Sequence, residues 1–423
     1  MKKLLILAGA RVHCKVVQSA KEMGIYTIVT DYLDISDSPA KQIADEAWSI
    51  NIMDVDEIVE KCKEKKVDGV LNFCIDPAQR PYQQICEKLG LPCIGTKEQF
   101  DILTDKRKFK EFCKFNDVDV VEEYSREEIE RNKVSYPVFI KPSDSRGSRG
   151  QYICWNRDEA VSASQKASLE SSDGSFICER YMHGIRDAAT AFFVIDGEPY
   201  LVKFGDRVLG KEEDNLNRQV MCTLLPSTFS NTFEYKVYDR VKRMIRNLGI
   251  TYGPVFIQGF IEGDTVKFYD PGLRMPGSNY DLILKKATGF DTVKSMIHFA
   301  LTGDTKTVYG NPNDCYRLNN KKALLFTVSV RPGIIGKIEG FDTVVNDPCT
   351  IYGFTLLSEG DNVPASGDIS QRVAEFGILI PNKEKTEEFI NRFYGEFKVF
   401  DKNGNDMIVS RIINQSNIKE YYI

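Results

Sequence analysis

Histidine is nearly missing from this chain: His13, His183 and His298 are the three among 423 residues. None stands at a recognisable spacing from a nucleophile, so covalent catalysis by a side chain is disfavoured. Nor is there a CxxC pair among the eleven cysteines (Cys14, Cys62, Cys74, Cys86, Cys93, Cys113, Cys154, Cys178, Cys222, Cys315 and Cys349). An odd, scattered set excludes a disulfide or zinc framework and points to a reducing, cytoplasmic setting. No apolar run approaches the roughly 20 residues of a membrane span, so a soluble chain with no membrane partner is expected. MKKLLILAGA imitates the start of a signal peptide, but Arg11, His13 and Lys15 follow at once, and it reads as a first strand. Charge of one sign never accumulates: 56 Lys and Arg face 61 Asp and Glu, for a formal charge of −5. A nucleic-acid partner is thereby disfavoured.

Two glycine signatures are also lacking. The first turn, LAGARVHC, has one glycine where a dinucleotide fingerprint needs three, although Asp31 lies where a ribose-binding acid would sit. A nicotinamide enzyme is therefore a minor alternative. GDRVLGKE, from Gly205 to Glu212, has the spacing of a Walker loop but ends in Glu212, where Ser or Thr must bind the metal ion.

What is present divides the chain. Its length is too great for one ordinary core. KLLILAG, VHCKVVQSAKEMG and YTIVTD form a βαβ start, and strand and helix alternate through DGVLNF and QRPYQQICEKLG. A doubly wound parallel sheet is expected over residues 1–95, followed by a capping box at Thr96 and Gln99. Beyond about residue 115 the texture turns β-rich, in YPVFIK, QYICW, SFICERYM, DAATAFFVIDG and EPYLVKFG. One helical face carries Phe233, Val237, Val241, Met244, Ile245 and Leu248, and GPVFIQGFIEG with TVKFYDP suggests an antiparallel hairpin. FIKPSDSRGSRG, from Phe139 to Gly150, sets a lysine at a strand end and then backbone N–H groups and positive charge, a combination suited to an anion such as phosphate.

Four separated pieces then fall in one order: Lys106 in LTDKRKFKEF, Lys141 before DSRGSRG, Glu179 in FICERYMHG, and Gln258 and Asp270 in FIQGF and FYDPGLR. Together they resemble the ATP-grasp ligases over roughly residues 1–300, in the branch of carboxylate–amine ligases, biotin carboxylases and phosphoribosylglycinamide synthetases. The resemblance implies a multidomain α/β and α+β protein with an ATP-grasp fold and a Rossmann-like N-terminal substrate domain over 1–95. The ATP-grasp domain would span 96–300, with a lid at about 118–182, and an α+β domain over 301–423 would complete the active site.

The same resemblance assigns roles. Lys106 and Lys141 would meet the α- and β-phosphates of ATP, and Ser148, Arg149 and Gly150 would give N–H groups to the β- and γ-phosphates. The hinge strand, Glu179, Arg180, Tyr181 and Met182, would read adenine, with Asp187 on the ribose hydroxyls. Gln258 and Asp270 would hold Mg²⁺ or Mn²⁺. Arg274 would neutralise the transferred phosphoryl group and, with Lys141, act in catalysis. Where the family has Glu-x-Asn-x-Arg, this chain has Asp270, Pro271, Gly272, Leu273 and Arg274, so one metal-binding side chain is gone. The implied reaction activates a carboxylate as an acyl phosphate and couples it to an amine, with small-molecule substrates and a homodimer as the family-level expectation. Loops around Ala10 and Arg11 and around Asp76 to Arg80 would contact substrate, with Arg372 facing the site. Two alternatives stay open: a biotin-carboxylase-like or purine-pathway enzyme using bicarbonate or a ribose phosphate, and a nucleotide-binding protein that has lost catalysis.

Overall fold

Short apolar runs buried on both faces favour parallel pairing, and the N-terminal strands follow that rule. In the computed structural model, which describes residues 1–143, 150–171, 173–182, 184–216, 219–381 and 385–412, Lys3–Leu7, Tyr26–Thr30, Glu46–Trp48 and Gly69–Leu71 form a parallel sheet in the order 46–48, 26–30, 3–7, 69–71. Gly9 closes the first strand where two loops meet. A Cβ there would lie 1.9 Å from Ser38 Oγ and 2.6 Å from Asp31 Oδ2. Asp31 accepts from Ser38 Oγ (2.8 Å) and Leu33 N (2.9 Å) and pairs with Lys41 (2.7 Å). The acid that a nicotinamide enzyme would need for ribose thus ties down its own loop.

The helix Lys97–Thr104 opens with a reciprocal capping box between Thr96 and Gln99. Beyond it, Tyr152–Cys154, Val138–Pro142 and Phe176–Arg180 make a small antiparallel sheet, backed by the helix Arg157–Glu170. The largest sheet has eight strands in the order Thr265–Gly272, Tyr252–Glu262, Arg186–Ile195, Glu198–Leu209, Val220–Leu225, Lys322–Ser329, Arg372–Ile380, Thr350–Thr355. Its last three strands come from beyond residue 300, so one sheet runs continuously from the hairpin at 252–272 to the C-terminal third. GDRVL belongs to the strand Glu198–Leu209, which leaves no loop for a Walker motif.

The helical face read over 233–248 is split. Ser230–Lys236 and Tyr238–Asn247 meet at Val237, whose ψ of −40° comes with a φ of −120°. Phe233, Val241, Met244 and Ile245 stay buried across the break, because both pieces still pack on the sheet. Among the described residues no helix is long and apolar enough to cross a membrane.

Candidate active site

Asp105 caps the helix Lys106–Phe115, accepting from the N–H groups of Arg107 (2.9 Å) and Lys108 (3.2 Å). That start fixes the direction of Lys106, whose Nζ lies 3.3 Å from Asp270 Oδ1. One turn on, Lys110 points the same way, as residues four apart on a helix must. It is 1% exposed and pairs with Glu179 and with Glu123 (3.2 Å). Lys141 reaches the other oxygen of Glu179 at 2.6 Å, since Phe139 lies directly opposite Glu179 in the small sheet and Lys141 is two residues along. Two lysines thus share one buried carboxylate.

Burial alone would push the Glu179 carboxyl up, but Lys141 and Lys110 outweigh it and hold the group down at about 2. Burial, with Lys106 and Lys110 nearby, lowers Lys141 despite Glu179. Burial would likewise lower Lys106, yet Asp270 and Glu179 raise it.

In the strand expected to be the hinge, the polar groups are already engaged. The Glu179 side chain turns inward, with Lys110 on one carboxylate oxygen and Lys141 on the other. The Arg180 N–H is already committed to the Glu122 carbonyl (3.0 Å) and that of Tyr181 to the Pro137 carbonyl (3.1 Å). The Tyr181 ring stacks on Phe139 at 6.2 Å, and Met182 is buried. Gly150 has a φ of 63°, and a Cβ there would lie 2.1 Å from Glu170 Oε2. Ser148 and Arg149 lie outside the described residues.

Asp187 is buried opposite Arg207, whose Nη1 donates to both carboxylate oxygens (3.1 and 2.9 Å) and to Tyr269 Oη (3.0 Å). Burial pushes the Asp187 carboxyl up against the pull of Arg207. The expected ribose ligand is thus already engaged by a guanidinium that the sequence reading missed.

Gln258 and Asp270 face each other across the hairpin. Just beyond this pair the register slips by one residue, and such a bulge re-aims side chains. Tyr269 therefore also turns to this face and donates to Gln258 Oε1 (3.0 Å). Among the described residues no cluster of three or more His, Cys, Asp or Glu side chains could hold a metal. One carboxylate and one amide oxygen still suit a hard cation that takes most of its ligands from phosphate and water.

Arg274 is 6% exposed, lies over the Phe256 ring (5.2 Å), and makes a two-pronged ion pair with Asp76, its Nη2 donating to Oδ2 at 2.8 Å. This joins the hairpin strand to the N-terminal loop expected to contact substrate. In the other such loop Arg11 lies over the Phe354 ring (5.6 Å), on the strand at the opposite edge of the sheet. Arg372 Nη2 donates to Gln219 Oε1 (3.2 Å).

Gly272 is not left-handed, and a Cβ there would lie 3.3 Å from Arg274 Cγ and 3.4 Å from its Nε. The space of the absent side chain is thus bordered by Arg274 itself. Gly272→Asn is expected to fold and to keep turnover. A loss beyond about tenfold, roughly 1.4 kcal/mol, in a steady-state assay would instead show that the glycine protects the Arg274–Asp76 pair.

Lys110, Lys203, Arg207 and Tyr269 escaped sequence reasoning. Helical spacing from Lys106 and strand alternation from Lys203 to Arg207 were signals for three of them; a bulge leaves none for Tyr269.

Known proteins resemble this chain in sequence and in fold. Residues 105–306 match the family described as carbamoyl-phosphate synthase L chain, ATP binding domain. The 2-oxoglutarate carboxylase small subunit of Hydrogenobacter thermophilus is 25% identical over 325 residues, 71% of this chain and 66% of that subunit, just under two thirds of its length. A formate-dependent phosphoribosylglycinamide formyltransferase of Prochlorococcus marinus is 22% identical over 400 residues, 92% of this chain and 98% of that enzyme. The fold is shared with the biotin carboxylase domain dimer of the Hydrogenobacter thermophilus 2-oxoglutarate carboxylase, crystallised with MgADP, ADP and bicarbonate. Its TM-score is 0.75 at 18% identity, covering 99% of this chain and 95% of that one. The matched ATP-binding domain over residues 105–306, the relatives in sequence and the shared fold together support reading this chain as similar to the ATP-grasp ligases.

Proposed function

We propose that this protein is an ATP-dependent ligase that activates a carboxylate as an acyl phosphate and couples it to an amine, releasing ADP and phosphate. The observation that carries the reading is the contact of Lys106 with Asp270 at 3.3 Å, a cation suited to phosphate next to a carboxylate suited to a hard metal ion. Lys106 and Lys141 would clamp the polyphosphate from two segments, with Lys110 holding the Glu179 carboxylate that positions Lys141. Gln258 and Asp270 would hold Mg²⁺, or Mn²⁺ with the same preference for oxygen, and the ion would offset charge on the transferring phosphoryl group. Attack by a carboxylate oxygen on the γ-phosphorus expels ADP and builds negative charge that Arg274 would balance. The amine then displaces phosphate from the acyl phosphate to form the amide. With so few histidines, positioning and electrostatics carry the chemistry.

Eleven unpaired thiols support a reducing, cytoplasmic location. The dimer named for the Hydrogenobacter domain supports testing for a homodimer. The decisive assay scores ADP release over a panel of carboxylates and amines. Release is expected only when both are supplied with ATP and Mg²⁺. Release with bicarbonate alone would favour the carboxylase reading, as the 2-oxoglutarate carboxylase relative suggests. Tight ATP binding with no release under any combination would leave a nucleotide-binding protein.

A further inference from the structure

Lys203 is 3% exposed, at the centre of the eight-stranded sheet. Among the described residues it has no carboxylate within ion-pair distance; its one hydrogen bond goes to Ser278 Oγ at 3.4 Å, and its ammonium lies 5.1 Å from the centre of the Tyr280 ring. Burying an ammonium without a counter-ion costs several kcal/mol. A position chosen only for packing would not keep it.

The neighbours do not neutralise it. Arg207, four residues along the same face, is used up by Asp187 and Tyr269. Asp281 is claimed by Lys15, which also donates to Asn279 (2.9 Å). Lys15, Lys203 and Arg207 thus stand against Asp187 and Asp281, one positive charge in excess. Burial and the repulsion of Arg207 together push Lys203 down to about 7, with Asp281 opposing. An arriving anion would reverse that shift.

Lys203 also lies in register with the metal-binding strand. It pairs with Ala191, Ala191 with Phe256, and Phe256 with Gly272, so Lys203 and Gly272 are three strands apart on one face. At about 4.8 Å per strand the separation is roughly 14 Å. A carboxylate reacting beside Asp270 is too far away to be the anion that Lys203 awaits.

We infer that Lys203 binds a second, non-reacting anionic group of a substrate, a carboxylate or a phosphate, at the far end from the transferred phosphoryl. The inference rests on the ligase reading. It predicts that at least one of the two coupled molecules carries an extra negative charge.

The test compares matched substrates in the ADP-release assay: glycine against methylamine and phosphoethanolamine against ethanolamine as amines, and succinate against butyrate as acids. The parent protein is expected to prefer one charged member of these pairs, and which pair responds separates carboxylate from phosphate and donor from acceptor. Lys203→Met should raise KM for that charged substrate at least about tenfold while leaving KM for ATP unchanged. Lys203→Arg should restore part of the loss. Because Lys203→Met removes an uncompensated buried charge at similar volume, its Tm should equal or exceed that of the parent. Equal use of charged and neutral members, or an unchanged KM in Lys203→Met, would overturn the subsite. Should no pair release ADP, the ligase reading itself fails, and the subsite is then judged by inorganic phosphate alone. Phosphate should raise the Tm of the parent but not of Lys203→Met, and an equal or absent effect would overturn the subsite too.

Discussion

Asp270→Asn is expected to abolish turnover, with a fall of about a thousandfold or more in kcat, roughly 4 kcal/mol of transition-state stabilisation. The substitution keeps size and removes charge at the carboxylate where Lys106 and the proposed metal meet. No cluster of acids, histidines or cysteines stands in reserve among the described residues, so no neighbour replaces the lost charge. The Asp270 side chain is 31% exposed and its pairing with Lys106 is long. Folding stability should therefore change by less than about 1 kcal/mol. ATP affinity, carried largely by the lysines and the hinge, should weaken far less than kcat. Rates are to be compared with matched substrates at saturating ATP and Mg²⁺. Turnover at the parent rate would make Asp270 structural and move the metal site elsewhere.

Lys141→Ala should weaken ATP binding by at least about tenfold, or about 1.4 kcal/mol, in a calorimetric titration. The charge would be uncompensated: the α- and β-phosphates would approach a site that has lost one of its two proposed phosphate-binding cations. A competing account is that Lys141 only serves Glu179, with which it shares a buried ion pair at 2.6 Å. The two accounts separate in the double variant Lys141→Ala with Glu179→Gln. Removing the carboxylate should recover the Tm lost in the single variant, since Lys110 no longer faces a half-paired buried charge. Affinity for ATP should stay low. Recovery of affinity together with Tm would make Lys141 a structural partner.

Elements whose cause is local were legible in the chain. The capping box at Thr96 and Gln99 and the hairpin pairing of Gln258 with Asp270 both follow from residue types at short spacing. Lys141 was legible for the same reason, because a strand end followed by Ser, Gly and Arg is a local pattern. Lys110 was not, since within KRKFKEFCK it looks like any solvated lysine until helix packing buries it on Glu179. Glu179 itself was assigned to the hinge from its position in the motif, whereas the direction of its side chain depended on two lysines from distant segments.

By itself the sequence determined the order of Lys106, Lys141, Glu179, Gln258, Asp270 and Arg274 that resembles the ATP-grasp ligases, the βαβ start, and a glycine at position 272 where that family has Asn. Only the tertiary structure decided that Asp187 is held by Arg207, that Arg274 is clamped by Asp76, and that Lys203 is buried with no carboxylate at ion-pair distance among the described residues. These depend on pairing between strands and loops 20 to 198 residues apart. Charge balance in a buried site is a sum over such neighbours, and chain order leaves it undefined until the sheet brings them together.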